Sequence, residues 1–282
     1  SFWDLRHGKF SPEAITVRKP CFRVLKTPND EWSLHFPIRH SSEGTQPLLF
    51  PIHIVDAQLE FRPSESVTDQ APSRITGIQI EVSGETNPSV VRLEGHLTDP
   101  LWSDWKLSGT FDPHSRRFRA RFQTLSLRLK PEQSEWLGVT EQALWRKFDP
   151  SGEVNVDAEI SLEQGSSEGM EYQVLLDPQR LSLKIPSLTE RITDVAGRVE
   201  ITSKSIRVHG LVGSLGTGEV HAAGFIGRES PPQFSATINV RKLSLLRLGG
   251  RMLDGVAEPE DTLSGKLQVQ GSTDPESWSG LS

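Results

Sequence analysis

The chain has 282 residues, 35% of them hydrophobic, with 31 basic and 37 acidic side chains and a formal net charge of -6. That length accommodates one large or two smaller domains with a buried core, and the well-mixed charge lacks the clustered Lys and Arg excess that nucleic acid demands. The single cysteine, Cys21, excludes internal disulfides and zinc sites built from several thiolates.

The dominant pattern is alternation of apolar and polar residues, a period of two that sends every second side chain to one face of a pleated strand. In chain order it predicts strands at Ile15 to Arg18, Phe22 to Lys26, Trp32 to Phe36, Ile52 to Arg62, Ile75 to Ser83, Val90 to Leu97, Trp105 to Asp112 and Phe118 to Leu129. Linkers such as Thr27-Pro28-Asn29-Asp30 and Ser41-Ser42-Glu43-Gly44 are too short for crossover helices, so hairpins and an antiparallel sheet are expected.

Between Pro131 and Phe148 the period changes. Trp136, Leu137, Val139, Ala143, Leu144 and Phe148 fall at helical spacings, with Thr140 as N-cap and Asp149-Pro150-Ser151-Gly152 as the stop, giving one broken helix or two short ones. Strands resume at Gly152 to Glu163, Tyr172 to Leu176, Leu181 to Ile185, Val195 to Ile201, Ser205 to Leu211, Gly218 to Ile226, Phe234 to Val240 and Leu263 to Gly271. A second short helix is expected at Ser244 to Leu253, weakened by Gly249-Gly250. The expectation is an all-β fold with one or two short helices. A sheet segment over 1–130 and a helical insertion over 131–150 precede a second sheet segment over 151–282. The lean apolar content means that only one sheet face is dry.

Catalytic and metal chemistry find little support. Among the histidines, His35, His40 and His53 are near in sequence, but His53 between Ile52 and Ile54 points to the wet face, and no helix-spaced His pair or Cys/His cluster occurs. There is no Gly-x-Ser-x-Gly elbow, and Cys21 reads as a small strand residue or an exposed bystander. The stretch Gly210 to Gly218 lacks the Lys-Ser/Thr ending and following helix of a phosphate loop, so it reads as a hairpin turn. Arg116, Arg117, Arg119 and Arg121 alternate with Phe118, Ala120 and Phe122, the pattern of a solvated strand face. The weaker reading is contact with anionic headgroups or an acidic partner. Gly152-Glu-Val-Asn-Val, Gly197-Arg-Val-Glu-Ile, Gly218-Glu-Val-His-Ala and Gly265-Lys-Leu-Gln-Val form a loose motif of irregular spacing. It fits glycines that start strands after tight turns, or else a degenerate repeat in a growing sheet.

The segments Leu181-Ser-Leu-Lys-Ile-Pro, Ile192 to Ile201, Ile206 to Gly224 and Leu263 to Ser272 together resemble the AsmA-like proteins of bacterial envelopes. The resemblance implies a repeating β-groove whose concave apolar face carries phospholipid acyl chains between the inner and outer membranes, without a catalytic residue, metal or cofactor. It implies a periplasmic or envelope location, with envelope protein partners and an inner-membrane anchor in a segment outside this chain. The start at Ser1 and the fresh strand near the end likewise read as an excerpt from a longer protein. The residues expected to line the groove are Phe118, Phe122, Val154, Val156, Ile160, Leu181, Leu183 and Ile185. The alternatives are a β-sandwich module binding glycan or protein, with these residues in a closed core, and a structural envelope spacer. The single tyrosine, Tyr172, argues against the aromatic girdles of an outer-membrane barrel.

Overall fold

The structure, a computed structural model, describes residues 13–26, 32–34, 50–62, 73–84, 90–112, 114–115, 117–136, 139–163, 170–186, 190–228, 233–244 and 262–272. Its sixteen described strands belong to one hydrogen-bonded sheet, so the fold is all-β. The chain divides into two compact units, residues 1–122 with 160–169 and residues 123–159 with 170–282. The division runs through two strands, β8 (Arg117–Leu129) and β9 (Ser151–Glu163), and the helical segment falls within the second unit.

In the first unit the strands are β1 (Ile15–Arg18), β2 (Cys21–Lys26), β3 (Trp32–Leu34), β4 (Ile52–Arg62), β5 (Ser73–Gly84), β6 (Val91–Asp99) and β7 (Ser103–Asp112). Their order is β3-β2-β4-β5-β6-β7. The expected antiparallel sheet needs a correction here, because β1 and β2 both run parallel to β4. They form one interrupted strand along β4, with β3 antiparallel on the far side of β2. Lys19, at φ 53°, and Pro20 interrupt it, and the Gln58 amide reaches back to the Pro20 carbonyl at 2.9 Å. The connection from β2 to β4 spans Thr27 to Pro51 and contains β3, which pairs antiparallel with β2, so the chain comes back to run parallel to β2 in β4.

In the second unit a 3-10 helix (Pro131–Trp136) and α1 (Val139–Phe148) precede β10 (Met170–Lys184), β11 (Arg191–Ala196) and β12 (Val199–Thr202). Next come β13 (Ser205–Leu215), β14 (Gly218–Gly227), β15 (Gln233–Ser244) and β16 (Thr262–Ser272). Of the two expected arrangements it is two short helices that occur, and Thr140 lies inside the first turn of α1 rather than capping it. Asp149, at φ 42°, ends α1 and donates its amide to the Trp145 carbonyl at 2.7 Å. The helix expected beyond Ser244 lies outside the described residues, with Ser244 itself closing β15.

Two further boundaries differ from expectation for related reasons. The strands predicted before and after Pro178 are one continuous β10. Pro178 is tolerated because it sits in the gap where β10 changes partner, from β12 at Leu176 to β11 at Leu181. The strand predicted at Val195 to Ile201 is instead split into β11 and β12 at Gly197. A Cβ there would stand 2.4 Å from the Gly210 carbonyl oxygen, and φ is 134°, so only glycine fits. Of the Gly210 to Gly218 stretch, only Gly216 and Thr217 form the turn; the rest extends β13 and opens β14.

Candidate functional site

In the first unit the alternation produces an apolar face and a polar face that continue from β4 through β7. Register pairs Ile54 with Ile80, Ile80 with Gly95 and Gly95 with Leu107 on one side. On the other side it pairs His53 with Glu81, Glu81 with Glu94 and Glu94 with Ser108. From Val91 to Thr98 on β6 and from Asp104 to Ser108 on β7 the apolar residues are half-buried, and the polar residues between them are exposed. Asp99 anchors the turn that joins these strands. Its carboxylate accepts from the Leu101 and Trp102 amides at 2.8 and 3.2 Å, and from the Thr76 amide and hydroxyl at 3.0 and 3.2 Å.

The second unit repeats the two-faced arrangement. Val174 pairs with Ile201 and Leu176 with Val199, Val199 with Val208, Val208 with Gly224 and Gly224 with Ala236. At the outer strands Ile238 faces Leu267 and Ala236 faces Val269. Ile226, Ile238, Leu263, Leu267 and Val269 are exposed.

Both units carry β-bulges, at which three residues of one strand span two of its neighbour. The extra residue is left-handed: Asp56 (φ 54°) in β4, Gly77 (φ 69°) in β5, Asp194 (φ 53°) in β11, Gly210 (φ 82°) in β13 and Lys242 (φ 52°) in β15. Ser126 (φ 58°) and Arg180 (φ 62°) hold the same conformation in β8 and β10. Each of these turns its successor to the apolar face after the sequence has slipped by one, as in Val240 followed by Leu243. Where the left-handed residue is not glycine, that successor is buried: Ala57 at 0%, Leu127 at 6%, Leu181 at 9%, Val195 at 2% and Leu243 at 3% exposure. Neighbouring strands satisfy two of the freed amides. Ser126 donates to Asn155 Oδ1 at 2.9 Å, and Lys242 to Ser264 Oγ at 3.0 Å.

The polar face of the second unit holds its ion pairs. Arg198 donates from Nε and Nη2 to the two Asp177 oxygens at 2.6 and 2.9 Å, bridging the place where β10 changes partner. This hydrogen bonding holds the Asp177 carboxyl below the usual carboxylate range and raises Arg198. Glu200 accepts from His209 Nε2 at 2.9 Å and Gln173 Nε2 at 2.7 Å, which lowers its pKa in the same way. Arg191 ties the end of α1 to the sheet, reaching Asp149 Oδ2 at 2.6 Å, Ser182 Oγ at 2.8 Å and Ser151 Oγ at 3.2 Å.

Of the residues expected to line a groove, Phe118, Phe122 and Ile160 are half-buried in the first unit. In the second, Val154, Val156 and Leu181 are buried, and Leu183 is half-buried. Ile185, also half-buried, lies just past the end of β10. Arg117, Arg119 and Arg121 stand exposed on the side opposite Phe118 and Phe122. His53 lies with Glu81 on the polar face at 3.9 Å, while His35 and His40 lie outside the described residues. Cys21 is exposed, with its Sγ 3.8 Å from Glu60 Oε2. Among the described residues no group of three or more His, Cys, Asp or Glu is placed to hold a metal ion, and no helix is long and apolar enough to cross a membrane. The bulges escape a reading based on alternation alone. Their signal is an apolar spacing that slips from two to three across a polar residue or glycine. Comparison with protein-family models, curated proteins and solved structures finds no match.

Proposed function

We propose that this chain is part of an AsmA-like envelope protein and that the half-buried part of its apolar sheet face holds phospholipid acyl chains during transfer between membranes or outer-membrane maintenance. The observation that carries this reading is the incomplete burial of a long apolar face. Among the described residues every strand belongs to one sheet, and no large side chain is fully buried. Leu93, Leu97 and Leu107 on β6 and β7, and Val199 and Val208 on β12 and β13, all keep part of their surface in water. An acyl chain laid across such residues removes apolar area on both sides, at about 0.8 kcal/mol per methylene buried. Headgroups stay in solvent, and the mechanism is passive. Contact with acyl chains would come from Phe118, Phe122, Ile160, Leu183 and their half-buried neighbours. Val154, Val156 and Leu181 would support the sheet beneath them.

The test is native mass spectrometry with lipid extraction on protein purified from a bacterial host without detergent. Co-purifying phospholipid, lost in Ile160→Asp and Ile238→Asp variants that keep their circular dichroism, supports the reading. A folded, lipid-free wild type refutes it and favours the spacer or the glycan- or protein-binding module.

A further inference from the structure

We infer that the glycine and the charged residue that open Gly152-Glu-Val-Asn-Val and Gly197-Arg-Val-Glu-Ile form a register lock, built twice in the second unit, which holds a strand against both of its neighbours. The glycine half faces the following strand of the sheet. At Gly152, with φ 126°, an added Cβ would stand 2.6 Å from the Arg180 carbonyl oxygen and 3.0 Å from Leu181 Cα on β10. At Gly197, with φ 134°, it would stand 2.4 Å from the Gly210 carbonyl oxygen and 3.0 Å from Leu211 Cα on β13. Each glycine therefore seats on the carbonyl of a left-handed residue, Arg180 at φ 62° or Gly210 at φ 82°, and on the Cα of the residue after it. Such an approach to rigid backbone leaves no room for a side chain, in a conformation that any other residue resists.

The charged half faces the preceding strand. Glu153 Oε1 lies 3.6 Å from Arg128 Nη2 on β8, and Arg198 donates to both Asp177 oxygens on β10. Within the strands β10 and β13 the described backbone has one left-handed residue each, so the glycine has a single seat along its neighbour. Contacts on opposite edges then fix the strand along both ladders at once. A slip by one residue would turn Glu153 to the apolar face and the buried Val154 to the polar one.

A looser copy opens β14. A Cβ at Gly218 would stand 2.8 Å from the carbonyl oxygen of the left-handed Lys242 and 2.4 Å from Leu243 Cδ2. Its φ lies outside the left-handed region, and Glu219 turns to His221 on its own strand at 3.0 Å. Among the described residues no atom stands within 4 Å of a Cβ at Gly265, the fourth glycine of the sequence motif. The lock concerns the sheet alone and does not rest on the lipid reading.

The experiment is a double-mutant cycle on the full chain, read as urea midpoints by circular dichroism. Gly152→Ala lowers the midpoint by roughly 1 M, because the new Cβ collides with backbone at a strained φ. Arg180→Gly frees the opposing carbonyl to turn aside, so in that background the loss from Gly152→Ala falls to about half or less. Lys242→Gly, on a strand that is not a neighbour of β9, leaves that loss at its full size. If Gly152→Ala alone fails to fold, Arg180→Gly restores the folded spectrum and Lys242→Gly does not. An unchanged midpoint in Gly152→Ala overturns the lock, as does equal behaviour of Gly152→Ala in the Arg180→Gly and Lys242→Gly backgrounds.

Discussion

Strands β6 and β7 and the residues that follow the left-handed positions are built from the same kind of alternating sequence, yet they reach different depths. On β6 and β7 no bulge interrupts the alternation, and Leu93, Leu97 and Leu107 are only half-buried. Behind Asp56, Ser126, Arg180, Asp194 and Lys242, the apolar side chains are almost wholly withdrawn from water. Alternation chooses a face, and the bulge bends the strand so that the next side chain packs among its neighbours. Each bulge costs about 1–2 kcal/mol for a non-glycine residue in the left-handed region, and burial of an apolar side chain of about 1.5–3 kcal/mol offsets it.

Substitutions of matched chemistry sharpen this contrast most strongly. Leu243→Ala should lower unfolding free energy by about 3 kcal/mol, because a buried leucine leaves a cavity. Leu107→Ala, half in water already, should lose roughly 1 kcal/mol. Equal shifts in urea midpoint for the two would break the comparison. Gly197→Ala should cost at least about 2 kcal/mol in the same assay, since its Cβ would collide with the Gly210 carbonyl in a conformation alanine resists. Asp99→Ala should cost about 2 kcal/mol by stranding the Thr76, Leu101 and Trp102 donors. This would show that the regular strands rely on their turn more than on depth of burial.

Two smaller effects follow from the left-handed sites and the polar face. Lys242→Gly should raise thermal stability by up to roughly 1 kcal/mol, because glycine relieves the strain while Leu243 stays buried; a loss would mean that the lysine side chain itself supports the bulge. On the polar face, Asp177 and Glu200 have pKa values lowered by hydrogen bonds from Arg198, His209 and Gln173. Lowered carboxylates stabilise the fold above their unfolded pKa, and that contribution disappears as pH falls through the folded value, below about pH 4. Urea midpoints measured down a pH series should therefore drop more steeply for wild type than for Asp177→Asn. Parallel curves would assign the acid sensitivity elsewhere.

Most strands were legible because a period of two is a local property. Ile52–Arg62 can be read directly, and Gly218–Gly227 to within a residue, since each side chain needs only its neighbours in sequence to declare a face. The parallel run of β1 and β2 beside β4 was not legible, nor was the continuity of β10 through Pro178, because both depend on which distant strand supplies the hydrogen bonds. The candidate site divides along the same line. Alternation placed Phe118, Phe122, Val154, Val156, Ile160, Leu181 and Leu183 in strands with apolar faces, but it could not separate buried Val154, Val156 and Leu181 from half-buried Phe118, Phe122, Ile160 and Leu183. The sequence by itself determined an all-β chain with one apolar and one polar face. Only the tertiary structure decided how deep each apolar residue lies, because depth depends on bulges and cross-strand neighbours far away along the chain.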